Sequence, residues 1–354
     1  MSDTAAVKIA IQPGPPHSFA PRFMAYCERR GIAWKAVDCY RSDIIGQIAD
    51  CDALLWHWYH TDARATLFAR GLLQAVEVAG KVVFPSGATA WHFDDKVAQK
   101  YLLEAIGAPL ARAEVFYDAE AALRWIETAT FPQVAKLRGG SGSINVRLIH
   151  TAAEARRYVR QAFGRGFAPV DRQMLFQERL RVLRRDQNLQ AIQGVAKGLA
   201  RLVVPTELER VRGNERGYVY FQAFIPGASL DTRIVVIGGR AIAIQRGVRP
   251  GDFRASGSGD LRYDPAGVDP RCLRIAFEVM RATGAQCLAF DFVEDVDGPK
   301  LLEISYGFSA ASYDACPGHW DGDLRWHEGR VSAQDFIMDD VVAAIEARRG
   351  RTPS

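Results

Sequence analysis

Two short stretches carry the residue types best suited to chemistry. Cys287-Leu-Ala-Phe-Asp-Phe-Val293 and Lys300-Leu-Leu-Glu-Ile-Ser305 read as the strands of a hairpin, with Gly298 free to take positive φ in the turn. A three- or five-residue loop centred on Asp297 sets Asp291 opposite Glu303, with Cβ atoms about 5 Å apart on one face. Ser305 lies on the same face because strand side chains repeat with period two. Facing carboxylates in an apolar strand pair repel unless a cation sits between them. Two carboxylates and a hydroxyl are hard oxygen ligands, suited to Mg²⁺ carrying substrate phosphates. The competing reading is a solvated acidic hairpin face.

A glycine loop, Arg138-Gly-Gly-Ser-Gly-Ser143, sits between two strand patterns, Gln133–Leu137 and Asn145–Ile149. No helix follows it, which excludes a P-loop. A strand–glycine loop–strand resembles the flap that covers nucleotide phosphates in protein kinases. Lys136, on the first strand, is placed to reach α- and β-phosphates, whereas Lys96, in Phe93-Asp-Asp-Lys-Val-Ala, opens a helix. Taken singly, both lysines also fit a solvated surface. Arg233, Arg246, Arg249 and Arg254 gather around a hairpin whose turn is Gly238-Gly239, and Ala255-Ser-Gly-Ser-Gly259 follows. Pairing about that turn brings Arg233 and Arg246 together, and guanidinium forks beside free backbone N–H groups hold carboxylates or phosphoryl groups. A basic surface patch is the plainer alternative.

These residues need a frame. The first 90 residues alternate strand and helix: strands at 7–11, 32–37, 53–57 and 81–84, helices at 19–30, 43–49 and 63–79. Such alternation with short connections predicts a parallel sheet covered on both faces, with ligands at the carboxyl ends of strands. A helix at 93–106, a strand at 113–116, a helix at 119–128, the two glycine-loop strands and a helix at 152–163 come next. Residues 165–218 are rich in arginine and poorly patterned, and read as a partly flexible insertion. The rest is mostly antiparallel: the two hairpins, separated by a helix at 269–283.

At roughly 150 residues per domain, 354 residues suggest two to three domains. The chain is 48% apolar and 24% charged, as expected of a soluble globular protein rather than a disordered one. No apolar run approaches the ~18–20 residues of a membrane span, and the first residues lack a signal-peptide layout. Forty-five basic against 41 acidic residues leave +4, which suits a small acidic ligand and is too weak to indicate nucleic acid. Six scattered cysteines without C-x-x-C suggest neither a zinc site nor a disulfide framework, so the cytoplasm is the expected compartment.

Read in order, the pieces resemble the ATP-grasp superfamily of carboxylate–amine ligases. They are most similar to ligases that add glutamate to a ribosomal protein, whose closing segments read Q-E-Y-I, D-I-R, G-D-F-R-x-N and D…E-x-N. The matching segments here are Phe221-Gln-Ala-Phe-Ile225, Asp231-Thr-Arg233, Gly251-Asp-Phe-Arg254, and Asp291 followed by Glu303-Ile-Ser305. A branch found with polysaccharide biosynthesis is also similar, through Arg254-Ala-Ser-Gly-Ser-Gly259, Glu303-Ile-Ser-Tyr-Gly307 and Cys316-Pro-Gly-His-Trp320. The resemblance covers roughly 93–312. It implies a three-layer α/β pre-ATP-grasp domain at 1–92 and a two-subdomain α+β ATP-grasp fold at 93–354. Within the latter, about 109–219 is a lid carrying the insertion and about 220–354 an antiparallel catalytic subdomain.

Carried over by position, the resemblance gives Lys96, Lys136, Gly140, Ser141 and Gly142 to the ATP phosphates. Ala223 and Ile225 meet the adenine, with Phe176-Gln-Glu178 as the alternative hinge, and Asp231 lies near the ribose. Asp291, Glu303 and Ser305 become ligands of one or two Mg²⁺, and Arg233, Arg246 and Arg254 contact the acyl phosphate and acceptor. Ala223 departs from the family's Glu, and Ser305 from its Asn. The implied activity is amide formation through an acyl phosphate, with ADP and phosphate released, between a small-molecule carboxylate and an amine such as an amino acid. A uronic acid or cell-surface saccharide precursor is the suggested carboxylate. A kinase that leaves phosphate on its substrate, and an inactive ATP-binding module, are the alternatives. Related ligases are often dimers or tetramers, so a homo-oligomer is a further expectation. Two clusters stay open: Trp56-His-Trp-Tyr-His60, for stacking a ligand or packing an interface, and the Cys316–Glu328 tail, for covering the acceptor or packing.

Overall fold

The structure is a computed structural model and describes residues 6–60, 62–140, 145–204, 206–248 and 259–350. Four short strands, β1 (Lys8–Ile11), β2 (Ala33–Ala36), β3 (Ala53–Leu55) and β4 (Val82–Phe84), form a parallel sheet in the order 2-1-3-4. The apolar runs of β1, β3 and β4 are buried, as strands covered on both faces require, whereas β2 at the sheet edge is partly exposed. The Ala20–Arg30 helix stops where Gly31 turns left-handed at φ 64°, and Asp62 caps the Ala63–Val78 helix through the Ala65 N–H.

A second sheet takes β5 (Ala113–Phe116), β6 (Gln133–Lys136), β7 (Val146–Ile149) and β8 (Val219–Ala223) in the order 5-8-6-7, all antiparallel. Its core, built from Ala122, Ile126, Tyr158, Val159 and Phe221 among others, is separate from that of the rest of the chain. The insertion between β7 and β8 corrects the sequence reading. Helices run over Arg172–Asp186, Leu189–Val203 and Glu207–Arg212. The signal was present, because Thr206 and Glu209 form a reciprocal capping box and Asn188 caps the second helix. Phe176-Gln-Glu178, a secondary candidate for the adenine-facing hinge, falls inside the first of these helices.

The third sheet contains β9 (Leu230–Ile237), β10 (Arg240–Gly247), β11 (Leu261–Arg262), β12 (Cys287–Asp295), β13 (Gly298–Ser305), β14 (Gly318–Asp321) and β15 (Trp326–Glu328), in the order 13-12-9-10-14-15 with β11 on β10. Gly238 at φ 54° makes the tight β9–β10 turn that the Gly-Gly pair predicts. This sheet and the first share one continuous apolar core. The Ala333–Arg349 helix ties the two together: it packs on β4 and on the Ala20–Arg30 helix, and Arg349 forks onto Asp52. Among the described residues no helix is long and apolar enough to cross a membrane. The chain is thus an α/β layer with a parallel sheet followed by two antiparallel α+β parts, as the sequence predicts.

Candidate active site

Strand register builds the charged centre. Across the third sheet Glu303 pairs with Asp291, Asp291 with Arg233, and Arg233 with Ile244, so all four share a face. One step along, Asp231 pairs with Arg246 on that same face. The opposite face, with Phe290, Phe292, Ile234 and Ile304, is buried core.

The Asp291–Glu303 pairing is reached by a route other than the expected one. The turn has two residues, Val296 and Asp297, which alone would set Asp291 against Leu302. A bulge after Asp291 restores the register. Leu301 then stays in the core while Leu302 and Glu303 both line the cleft.

Each carboxylate has cationic company. Arg233 Nη1 donates to both Asp291 oxygens at 3.1 and 3.0 Å, and Arg246 Nη2 donates to Asp291 at 2.9 Å. Arg246 also forks onto Asp231 at 2.7 and 2.6 Å. Glu303 lies 3.7 Å from Lys96 Nζ. Asp95 caps the helix through the Ala98 N–H, which makes Lys96 its first residue. A cation there opposes the helix dipole, and Lys96 is held instead by Glu303 and the Gly140 carbonyl at 2.6 Å. Gly140, at φ 110°, donates its N–H to Asp94, which also accepts from Arg212 of the insertion. Asp94 is therefore the clip that fixes the base of the glycine loop. The sequence offered it only as one acid beside another.

Burial and charge compete at these groups. Burial raises the Glu303 carboxyl, but Lys96, Lys136, Arg233 and Arg246 outweigh it and hold it at about 2. Burial pushes the Lys136 ammonium down to about 8, with Glu303 opposing. Asp231 is pushed up to about 6 by burial despite the Arg246 fork. Arg246 moves upward, because Asp291 and Asp231 overcome its burial.

Two cavities meet at this centre. The first, between the second and third sheets, is lined by Lys96, Lys136, Gly140, Ala223, Ile225, Asp231, Arg246, Asp291 and Glu303, which brings most of the expected residues together. Its lining also includes the apolar Val134, Val146, Phe224, Val293 and Leu302. Gln222 was missed by sequence reasoning. It is buried there and donates to the Leu302 carbonyl, fastening one sheet to the other.

The second cavity, about 660 Å³, shares Lys96, Gly140, Arg246 and Glu303 with the first and adds Arg233 and Ser305. The Ser305 hydroxyl bonds the backbone of Gly307, so it is engaged locally. Ser141, Gly142 and Arg254 lie outside the described residues. Further lining comes from His17, Tyr59, His60, Phe93, Phe308 and Tyr313. The Trp56–His60 cluster is therefore divided. Trp56, His57 and Trp58 are buried: His57 stacks on Phe19 at 3.6 Å, and Trp58 bonds Tyr306 through its backbone. Tyr59 and His60 face the cavity. The tail packs away from it, extending the sheet as β14 and β15 beside the Gly238-Gly239 end of β10.

Asp291 and Glu303 fit Mg²⁺ of the kind that enters with a nucleotide, which takes one or two protein carboxylates and completes its shell with phosphate and water. Among the described residues no group of three or more His, Cys, Asp or Glu forms an all-protein cage. The donor set suits an ion shared with a substrate.

No protein-family model matches the chain. A glutathione synthetase of Prochlorococcus marinus (strain MIT 9313) is 33% identical over 124 residues, which span 34% of this chain and only 38% of that relative's length. Two solved structures are similar along nearly the whole chain. A RimK-domain ATP-grasp protein from Sphaerobacter thermophilus DSM 20745 has a TM-score of 0.55 at 19% identity, covering 95% of this chain and 100% of that one. The ATP-grasp ligase PsnB, complexed with minimal precursor, Mg and ADP, has a TM-score of 0.54 at 15% identity, covering 96% and 98%.

Proposed function

From the ATP-grasp fold that this chain shares with those structures, we propose that it is an ATP-dependent carboxylate–amine ligase working through an acyl phosphate. One observation carries the reading. Two facing carboxylates, Asp291 and Glu303, line one cleft together with Lys96 and Lys136, and apolar side chains make up much of the remaining lining.

In this reading the adenine packs on the apolar lining, against the chain from Ala223 to Ile225. Lys136 and Lys96 neutralise phosphate charge. Asp291 and Glu303 would hold Mg²⁺, which would supply charge compensation to the phosphates. The second cavity takes the substrate carboxylate beside Arg233 and Arg246. A carboxylate oxygen bonds the γ-phosphorus as the bridging P–O bond of ATP breaks, giving ADP and an acyl phosphate. The amine then bonds the carbonyl carbon, the C–O bond to phosphate breaks, and the amine gives up a proton. Arg246 and Arg233 face the oxyanion of that step, with Arg254 as a third cation in the proposal. Fixed charge in a closed site provides most of the acceleration. The second sheet has its own core, which suits a lid that closes as a unit and keeps water from the acyl phosphate.

The aromatic residues Tyr59, Phe93 and Phe308 and the serines Ser309 and Ser312 in the lining of the second cavity suit a carboxylate with a cyclic body. Uronic acids therefore belong in the test set. The experiment is a coupled ADP-release screen over carboxylates and amines with Mg²⁺, with hydroxylamine as trap. ADP formation that needs both substrates, and a hydroxamate when hydroxylamine replaces the amine, support the ligase. ADP with phosphate retained on the carboxylate substrate's hydroxyl means a kinase, and ATP binding without turnover under every combination means a binding module.

A further inference from the structure

Asp231 has an unusual neighbourhood for a residue assigned to a ribose. Both its oxygens accept from Arg246, at 2.7 and 2.6 Å, and the Nη2 that reaches Asp231 also reaches Asp291 at 2.9 Å. Arg233 donates to Asp291 from the other side. Two aspartates and two arginines thus form a neutral, largely buried group, in which Arg246 is shared between two acids.

Charges this close and this buried interact strongly. A divalent cation on Asp291 is repelled by each guanidinium left against that carboxylate. Whatever draws Arg246 away from Asp291 therefore favours the cation, and Asp231 does so through the stronger, two-bonded contact. We infer that Asp231 is a positioning residue: its fork on Arg246 limits how far that guanidinium neutralises Asp291, and so sets the affinity of Asp291 for the Mg²⁺ that accompanies the nucleotide. Arg233 and Arg246 compete with the ion for one carboxylate. The inference rests on the reading of Asp291 as a metal ligand.

The test is the Mg²⁺ dependence of ADP affinity, measured by calorimetry on the full chain with ADP and MgCl₂ alone. Arg246→Ala is expected to lower the Mg²⁺ concentration for half-maximal enhancement by about tenfold, equivalent to ~1.4 kcal/mol. Asp231→Asn is expected to raise it by a similar factor, because Arg246 then gives its charge to Asp291. Arg233→Met, expected to act in the Arg246→Ala direction, covers the case in which that variant does not fold, and thermal unfolding monitors all three. Opposite shifts from the aspartate and arginine variants support the inference. Shifts in one direction, as a purely structural role would give, or no shift, overturn it. Wild-type ADP affinity indifferent to Mg²⁺ overturns the metal role of Asp291 itself, and is seen before any variant is made.

Discussion

The two cavities that meet at Lys96, Gly140, Arg246 and Glu303 are built in different ways. The first is walled mainly by strands of two sheets. The second is closed largely by connecting segments: the loop at His17, the loop after β3 at Tyr59 and His60, Phe93 ahead of a helix, and the run from Gly307 to Tyr313. Strand walls obey a period of two and a fixed register. Residues as far apart as Asp231 and Glu303 are then forced onto one face, and changing one disturbs an array. Connecting segments obey no period, and each residue there acts more nearly alone. The strand-built cavity should therefore respond sharply to single substitutions, and the loop-built one mildly.

Glu303→Gln gives the sharpest version of this contrast. It removes one of the facing carboxylates and leaves Lys96 and Lys136 without their nearest counter-charge. Turnover measured as ADP release is expected to fall by about 10²–10³-fold, the range seen when one electrostatic stabiliser is lost. Near-normal turnover would remove Glu303 from the chemistry and level the two cavities.

Lys136→Met comes next, with ATP affinity expected to fall by about 10–100-fold in calorimetry, as loss of a buried charge–phosphate contact implies. A pH series sharpens it. Burial holds the Lys136 ammonium at about 8, and lysine is charged below its pKa. Wild-type ATP affinity should then weaken as pH rises through 8, because protonation of Lys136 must accompany binding. The variant should lose that slope, and an identical slope in both proteins would assign the titration to another group.

A smaller effect is expected from Tyr59→Ala in the loop-built cavity. The Tyr59 ring meets His57 edge-on at 4.7 Å and His17 at 4.9 Å. Its loss should raise the KM of the carboxylate substrate by about 3–10-fold, roughly the contribution of one ring contact. ADP affinity should stay within about twofold. Equal loss of both would show the cavities to be one site energetically.

What could be read in the sequence follows the same division. Asp291 with Glu303, and Arg233 with Arg246, can be placed together because hairpin pairing fixes each pair, and the Gly-Gly turn fixes the β9–β10 register outright; the β9–β12 pairing that joins the two pairs is not a hairpin and has no such signal. The expected β12–β13 register holds at Asp291 and Glu303 but not next to the turn, since the turn is shorter than expected and the bulge at Leu302 compensates for it. No sequence rule places a bulge. Asp94 and Gln222 were not singled out because their roles depend on contacts between separate elements. The insertion is hard to read for another reason: its arginine-rich first helix has only a weak apolar periodicity, and the Thr206–Glu209 capping box is the readable sign. Tyr59 and His60 were marked as a cluster, yet alternation could not say which of its five residues would face a cavity and which would pack behind it.

The C-terminal tail extends the comparison to a region outside both cavities, where the smallest effect is expected. His327 bonds Asp321 at 2.8 Å and stacks on His319 at 5.1 Å, and about half of its side chain is exposed. These rings sit on β14 and β15, and β14 pairs with Arg240 and Ala241 at the turn end of β10. Arg246 is six residues further along that strand, about 20 Å at the usual rise. Exposed pairs of this kind contribute ~0–1 kcal/mol. His327→Ala should lower the thermal midpoint by no more than about 3 °C in a chain of this size. It should leave ADP affinity and substrate KM unchanged. A tenfold loss of turnover in a folded His327→Ala protein would require the tail to act on the acceptor cavity after all. The contrast would then no longer lie between strand and loop, because β15 is itself a strand and its effect would have to travel along the sheet.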